Sequence, residues 1–483
     1  MQKSSLVVLA LALLLGLLAG RPATVRADSF VVNSSWDDSS AHDWLPGDGQ
    51  CADVLSRCTL RAAIEEANDY PGPDVITFDS SRQIYLDTTE GALPVITEQL
   101  RIDASNVWDT ANDRPGVWLH GGDKSFSGLF LWADNCEVYG LYLINFHDAV
   151  DIHAAYNTVG GPLQGQRNVI SSNGGYGVSI SGSAAHHNVV WGNWIGLSIT
   201  GDSKQPNFGG VRIAGGTYEN TIGGDILGEG NVISGNTHEG IVIQDANSDG
   251  NRLGANLIGP PAVGTAQNVG NGGPGVYVSG GPRNTYIGST GGDLAGNLIA
   301  FNGNAGVIIW GAHSNWVESN VIVQNGAGGV YVRDSAGNTI LSNEIAYNAQ
   351  TGVHVEGVTA TGNPILANSI HHNSYQGIHL VDGGNIELKA PEITMADASG
   401  ASGTGCANCT VHLFSDSEDE GEIYEGFANA DANGDWTFSG PLTGPNVTAT
   451  NTDAGANTSE FSEPFAIGGA NPRVFLPFVT RNG

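Results

Sequence analysis

The chain has 483 residues, with 18 Lys and Arg against 49 Asp and Glu, a formal net charge of −31. So few cations exclude a nucleic-acid partner, which needs basic groups to displace phosphate counterions. They also disfavour uronate polymers unless Ca²⁺ bridges carboxylate to carboxylate, so a neutral glycan or a protein partner fits better.

Met1-Gln2-Lys3, an apolar run from Leu6 to Ala19 and the end Val25-Arg26-Ala27 make a secretory signal over 1–27. Its apolar core is shorter than the roughly 20 residues of a membrane span. The remaining chain is therefore expected outside the cytoplasm, secreted or at the cell surface, with no membrane span. In that setting Cys51 with Cys58, and Cys406 with Cys409, are expected to form small-loop disulfides, while Cys136 reads as a small buried hydrophobe. A redox or metal role for Cys406-x-x-Cys409 is the alternative, but no helix follows it and no second thiol pair lies nearby. At 59–68, Leu60, Ala63, Ile64 and Ala67 form one apolar face of a short helix opened by Thr59.

From about 145 to 380 one phrase recurs: Asn, two apolar residues, two variable ones, Asn, three variable ones, Gly, then apolar, outward, apolar. It runs from Asn168 to Gly177, Asn231 to Gly240, Asn297 to Gly306, Asn320 to Gly329, Asn343 to Gly352 and Asn368 to Gly377. A third beat, at Asn315, Asn338 and Asn363, precedes it. Each coil of about 23 to 25 residues thus offers three short strands parted by Asn- and Gly-marked corners, where left-handed or sharply turned backbone is tolerated. Such strands cannot bury an apolar face alone, so the coils must stack into an all-β, right-handed parallel β-helix with inward columns such as Val307, Val330 and Val353. The corner asparagines are expected to form amide ladders. Excursions at 220–231, 259–274 and 284–297 should be surface loops. The helix at 59–68 suits a plug for the first coil.

Cys51, the run Cys58-Thr59-Leu60-Arg61-Ala62-Ala63-Ile64-Glu65-Glu66-Ala67-Asn68 and Asp74-Val75-Ile76-Thr77-Phe78 resemble the CSLREA-type N-terminal segment of bacterial exported β-helix proteins. Thr59 and Ala62 depart from that label, where Ser and Glu would stand. Asn231-Val232-Ile233-Ser234-Gly235-Asn236 resembles the repeats of those proteins, so the likeness covers most of 28–390. It implies fold and export, and brings no catalytic motif. Beyond Pro391 the phrase stops. Thr410–Phe414, Trp436–Phe438 and Val447–Thr450 alternate as short strands and resemble the small Ig-like sandwiches appended to such proteins. The expected organisation is a cap over 28–100, β-helix over 101–390, sandwich over 391–467 and tail over 468–483. Val474-Phe475-Leu476-Pro477-Phe478-Val479 in the tail is similar to a terminal sorting or anchoring segment.

Counting from each Gly, the positions two and four onward face out, which gathers Tyr277, Trp310, Tyr331, Arg333, His354, Glu356 and His379 on one strip. Five coils at about 4.8 Å each would span roughly 20 Å, the length of a short oligosaccharide. Aromatic rings suit sugar faces and polar neighbours suit hydroxyls; ordinary outward β residues, or a strip under a loop or neighbouring subunit, are the alternatives. Three functions follow: binding of extracellular polysaccharide or a cell-surface partner; a carbohydrate-active enzyme (lyase, epimerase or glycosidase) using Arg333, His354, Glu356 and His379; or a structural surface element. No Asp-Asp plus Gly-His-Gly hydrolase pattern and no pectate-lyase-like set occurs, and Asn451-Thr452-Asp453 falls in the sandwich. His186-His187 and His371-His372 sit at corners and read as solvated turn residues before metal ligands. Asp431-Ala432-Asn433-Gly434-Asp435 reads as a hairpin turn before a Ca²⁺ loop. Ca²⁺ is the one cofactor left open, and no other is expected.

Overall fold

The structure, a computed structural model, describes residues 27–225, 229–265, 267–289 and 295–468. The export signal, apart from Ala27, and the tail beyond Gly468 lie outside the described residues.

Strands as short as Thr158–Val159 carry too little surface to pair locally. Each instead hydrogen-bonds in parallel to its counterpart one coil away, and among the described residues this builds three sheets of 12, 11 and 10 strands. The first sheet begins at Ser29–Val32 and ends at Ile365–Leu366, the second runs from Arg82–Tyr85 to Ser369–His371, and the third from Leu129–Leu131 to Ile378–Val381. The architecture is the expected all-β parallel β-helix. Val307, Ile309, Val330, Val332, Val353 and Val355 are wholly buried in one continuous core. The stack begins earlier than residue 101, since Ser29–Val32 already pairs with Asp74–Phe78, and that strand with Leu100–Asp103. The helical excursion between those first strands interrupts the Asn phrase there and hides the coil.

The asparagines form three buried ladders. Asn297 donates both its backbone N–H and its amide to Asn320 Oδ1, at 3.0 and 2.9 Å, and its amide also to Leu253 O at 2.8 Å. Asn320 does the same to Asn343, and Asn343 to Asn368. The left-handed residue is not the ladder Asn but the one before it: Ser319, Gln324, Ser342 and Tyr347 have φ of 58, 56, 56 and 57°. These residues have no common chemistry, so the strained position leaves no mark in the sequence. The Asn reads as the corner because its amide offsets the roughly 1–2 kcal/mol of left-handed backbone. The repeat Gly also has a steric reason: a Cβ at Gly329 would stand 2.3 Å from Ile345 Cγ2.

Both ends are sealed. Helix α1, Leu60–Asp69, starts at Thr59, whose hydroxyl accepts the Ala62 N–H at 3.0 Å, and it buries Leu60, Ala63, Ile64 and Ala67 in the β-helix core. Cys51–Cys58 closes the loop ahead of it, Cys406–Cys409 closes a turn in the C-terminal part, and Cys136 is free and buried. At the other end an antiparallel three-stranded and an antiparallel four-stranded sheet, within Glu392–Ala466, enclose a separate small core. This unit seals the last coil by replacing the missing next one. Ile365 N–H donates to Thr458 Oγ1 (3.0 Å), Asn373 N–H to Glu420 Oε2 (3.2 Å) and Leu380 N–H to Glu460 Oε1 (2.9 Å), one contact per side of the coil. The Asp431–Asp435 turn is not a hairpin between paired strands. It carries the chain from Ile423–Asn429 in one sheet to Asp435–Ser439 in the other. His371 is buried under the Ile370–Gly421 bridge and is not the solvated residue expected, whereas His187 and His372 are exposed.

Asn320→Ala leaves the Asn297 donors unpaired and is expected to cost about 2–3 kcal/mol, read as faster amide exchange in the flanking coils. Burial, aided by Asp416 and Asp419, holds the Glu420 carboxyl at about 7 against an ordinary 4.5. The neutral acid is therefore the stabilising form: its contribution is complete below about pH 4.5 and is lost as the pH rises through 7. The melting temperature of the terminal unit should fall across that window, and Glu420→Gln should flatten the fall.

Candidate functional site: a groove on the third sheet

Parallel pairing without slippage turns outward side chains into straight columns. On the third sheet one column reads Arg212, Val242, Tyr277, Ile308, Tyr331, His354, His379, and the next reads Gln244, Ser279, Trp310, Arg333, Glu356. Val242 points outward yet is buried, with the longer Arg212 and Tyr277 beside it in register. From Tyr277 onward the strip stays open to solvent, with Trp310 45% exposed. It forms one wall of a groove of about 670 Å³.

Tyr277, Trp310, Tyr331, Arg333, His354 and His379 all line this groove, whereas Glu356 does not. The Glu356 carboxylate instead accepts the Tyr331 hydroxyl and lies 3.5 Å from Arg333 Nη2 and 3.6 Å from His354 Nε2. The opposite wall was not foreseen. It comes from the variable residues between the second Asn and the Gly of each phrase, among them Asn304, Gln350, Thr351 and Tyr375, with Glu239 and Pro274 at the N-terminal end. Their constant offset before the repeat Gly was the only signal available.

Within the groove, Tyr331 stacks on His354 with ring centroids 4.4 Å apart, and His354 lies 5.2 Å from His379. The Arg333 guanidinium sits over the Trp310 ring at 4.8 Å. Glu239 Oε2, His354 Nε2 and His379 Nδ1 are buried atoms without a hydrogen-bond partner. Burial raises the Tyr331 phenol to about 12, helped by the Glu356 carboxylate that its hydroxyl faces. Burial, then the neighbouring His379, pushes the His354 imidazole below its ordinary 6.5, so it is neutral at pH 7. Among the described residues no cluster of three or more metal-ligating side chains forms.

The other two sheets differ in what covers them. The outward column of the second sheet, with Trp118, Tyr142, Val169, Trp194, Val232 and Leu257, packs with Leu197, Ala262 and Val269 from the long excursions. The 259–274 loop therefore lies mainly over that sheet, and only its end, at Pro274, reaches the groove. On the first sheet Arg252, Tyr286 and Trp316 stack in register beside a polar groove of about 910 Å³.

Residues 220–393 match the family model described as a right handed beta helix region. Among curated proteins nothing matches significantly. Among solved structures, the chain is similar to the A-module of the Azotobacter vinelandii mannuronan C-5 epimerase AlgE6, at 16% identity and a TM-score of 0.52, over 74% of this chain and 91% of that one. The A-module of AlgE4 from the same organism gives 14% identity and 0.48, over 73% and 94%. A tailspike mutant of E. coli bacteriophage HK620 in complex with a hexasaccharide gives 12% and 0.38, over 81% and 87%. With the three parallel sheets, the family match and the first of these structures define the chain as a right-handed parallel β-helix.

The electrostatics predict a neutral imidazole in the groove. The His354 signal, assigned through His354→Gln, should titrate below 6.5 by NMR, and His379→Asn should move its pKa upward by removing the neighbouring imidazole that lowers it.

Proposed function

We propose that the protein is an exported β-helix that binds extracellular polysaccharide or a cell-surface glycan in the third-sheet groove. The observation that carries this reading is the groove's composition: aromatic side chains interleaved with buried polar atoms that have no hydrogen-bond partner in the protein. Unpaired buried polar atoms are costly, and ligand hydroxyls would satisfy them. The epimerase that shares the fold is named for mannuronan, a sugar polymer, which supports polysaccharide as the ligand class. Export rests on the signal at 1–27 and accords with the two disulfides. The unit at 391–467 is read as an Ig-like module that closes the stack.

A second reading, a lyase, epimerase or glycosidase, is favoured by one feature: a neutral imidazole, His354, stacked against a protonated phenol, Tyr331. Such a pair can accept and donate protons at one sugar ring.

Retention on a panel of immobilised polysaccharides, with and without Ca²⁺ and with assay of released reducing or unsaturated sugar, separates these readings. Binding alone predicts retention that falls about tenfold in Trp310→Ala, with no product. Product lost in His354→Ala would establish the enzyme. Neither retention nor product would leave a structural surface element.

A further inference from the structure

We infer that the groove selects a neutral, hydroxyl-rich glycan and seats one pyranose ring on the face of Trp310 turned towards Ser279. The inference rests on the glycan reading above and names its substrate class and subsite.

The subsite follows from which ring faces are spent. Tyr331 and His354 cover each other. Tyr277 lies in register between the branched side chains of Val242 and Ile308. Trp310 has Arg333 over one face, but its in-register neighbour on the other side is Ser279, followed in that column by Gln244. Two coil steps, about 9–10 Å, therefore separate Trp310 from the next long side chain in its column. With only a hydroxymethyl group between, that gap admits a saturated ring at the roughly 3.5–4 Å of van der Waals contact.

The class follows from charge. Arg333 is the one guanidinium on the groove wall among the described residues, and it is already met by Glu356 at 3.5 Å and Asp334 at 3.7 Å. Glu239 stands on the wall, and Glu460 lies 3.4 Å from His379 Nδ1. One cation thus faces four carboxylates on a chain of net charge −31. A uronate would add a like charge and could use Arg333 only by breaking its pairs. Hydroxyls meet no such cost and can both donate to Glu239 Oε2 and pair with His354 Nε2 and His379 Nδ1, which make no hydrogen bond in the protein.

Calorimetry of the full chain with neutral glucan, xylan and galactan oligomers, and with mannuronate and galacturonate oligomers, tests both parts. A neutral oligomer should bind with a Kd that changes less than about twofold when salt is raised tenfold, and uronates should bind at least about tenfold more weakly. Ser279→Tyr, which fills the gap, should weaken binding about tenfold or more, while Trp310→Phe keeps most of it. Ser181→Tyr, the same change three coils upstream in that column, should leave the affinity unchanged. Tighter binding of uronate with steep salt dependence, or unaltered affinity in Ser279→Tyr, would overturn the inference while the glycan reading stood. Binding of neither class would remove both.

Discussion

Each coil of this protein is satisfied only by the next one. A ladder asparagine spends its Oδ1 on two donors of one neighbouring coil and its amide on acceptors along the stack. No coil can slip by one residue without stranding these buried groups, at a cost near 1–3 kcal/mol for each one left unpaired. That constraint locks the register, and locked register makes outward side chains stand in straight columns. A groove on such a scaffold is an array with one contribution per coil, and its chemistry changes in steps of about 4.8 Å.

The same constraint explains the ends. The last coil still has donors on all three sides, and the structure meets them with different chemistry: a threonine hydroxyl and Glu460 for strand N–H groups, and Glu420 for the ladder position of Asn373. A carboxylate in place of an amide supplies the acceptor but brings a charge into a buried setting, which is why the Glu420 carboxyl is held near 7. The terminal unit therefore belongs to the stability of the solenoid, and the β-helix without it would expose the acceptor-seeking edge that repeat proteins otherwise cap.

The three sheets arise from one repeat, so the difference between them comes from what lies on top. Excursions fold onto the aromatic column of the second sheet and make it a satellite core. On the first sheet Tyr286 has Arg252 over it on one side and Trp316 stacked on the other. On the third sheet an open aromatic column stands beside a wall of turn residues. There Arg333 and Glu356 neutralise each other across neighbouring coils, so the one guanidinium on the groove wall among the described residues is already paired.

The sequence by itself determined the repeat, the sheets, the inward columns and the outward strip, because parallel stacking at fixed register maps a residue's offset from its Gly directly onto a face. It determined the cap helix through the Thr59 start and the spacing of Leu60, Ala63, Ile64 and Ala67. Only the tertiary structure decided which outward column stays open, since covering depends on where loops of variable length come to rest. It also moved Glu356 from the groove to a supporting position, added Glu239, Gln350 and Tyr375 from turns with no shared residue type, and placed the C-terminal sheets on the final coil. Those outcomes depend on contacts between segments that do not repeat, and a periodic pattern carries no information about them.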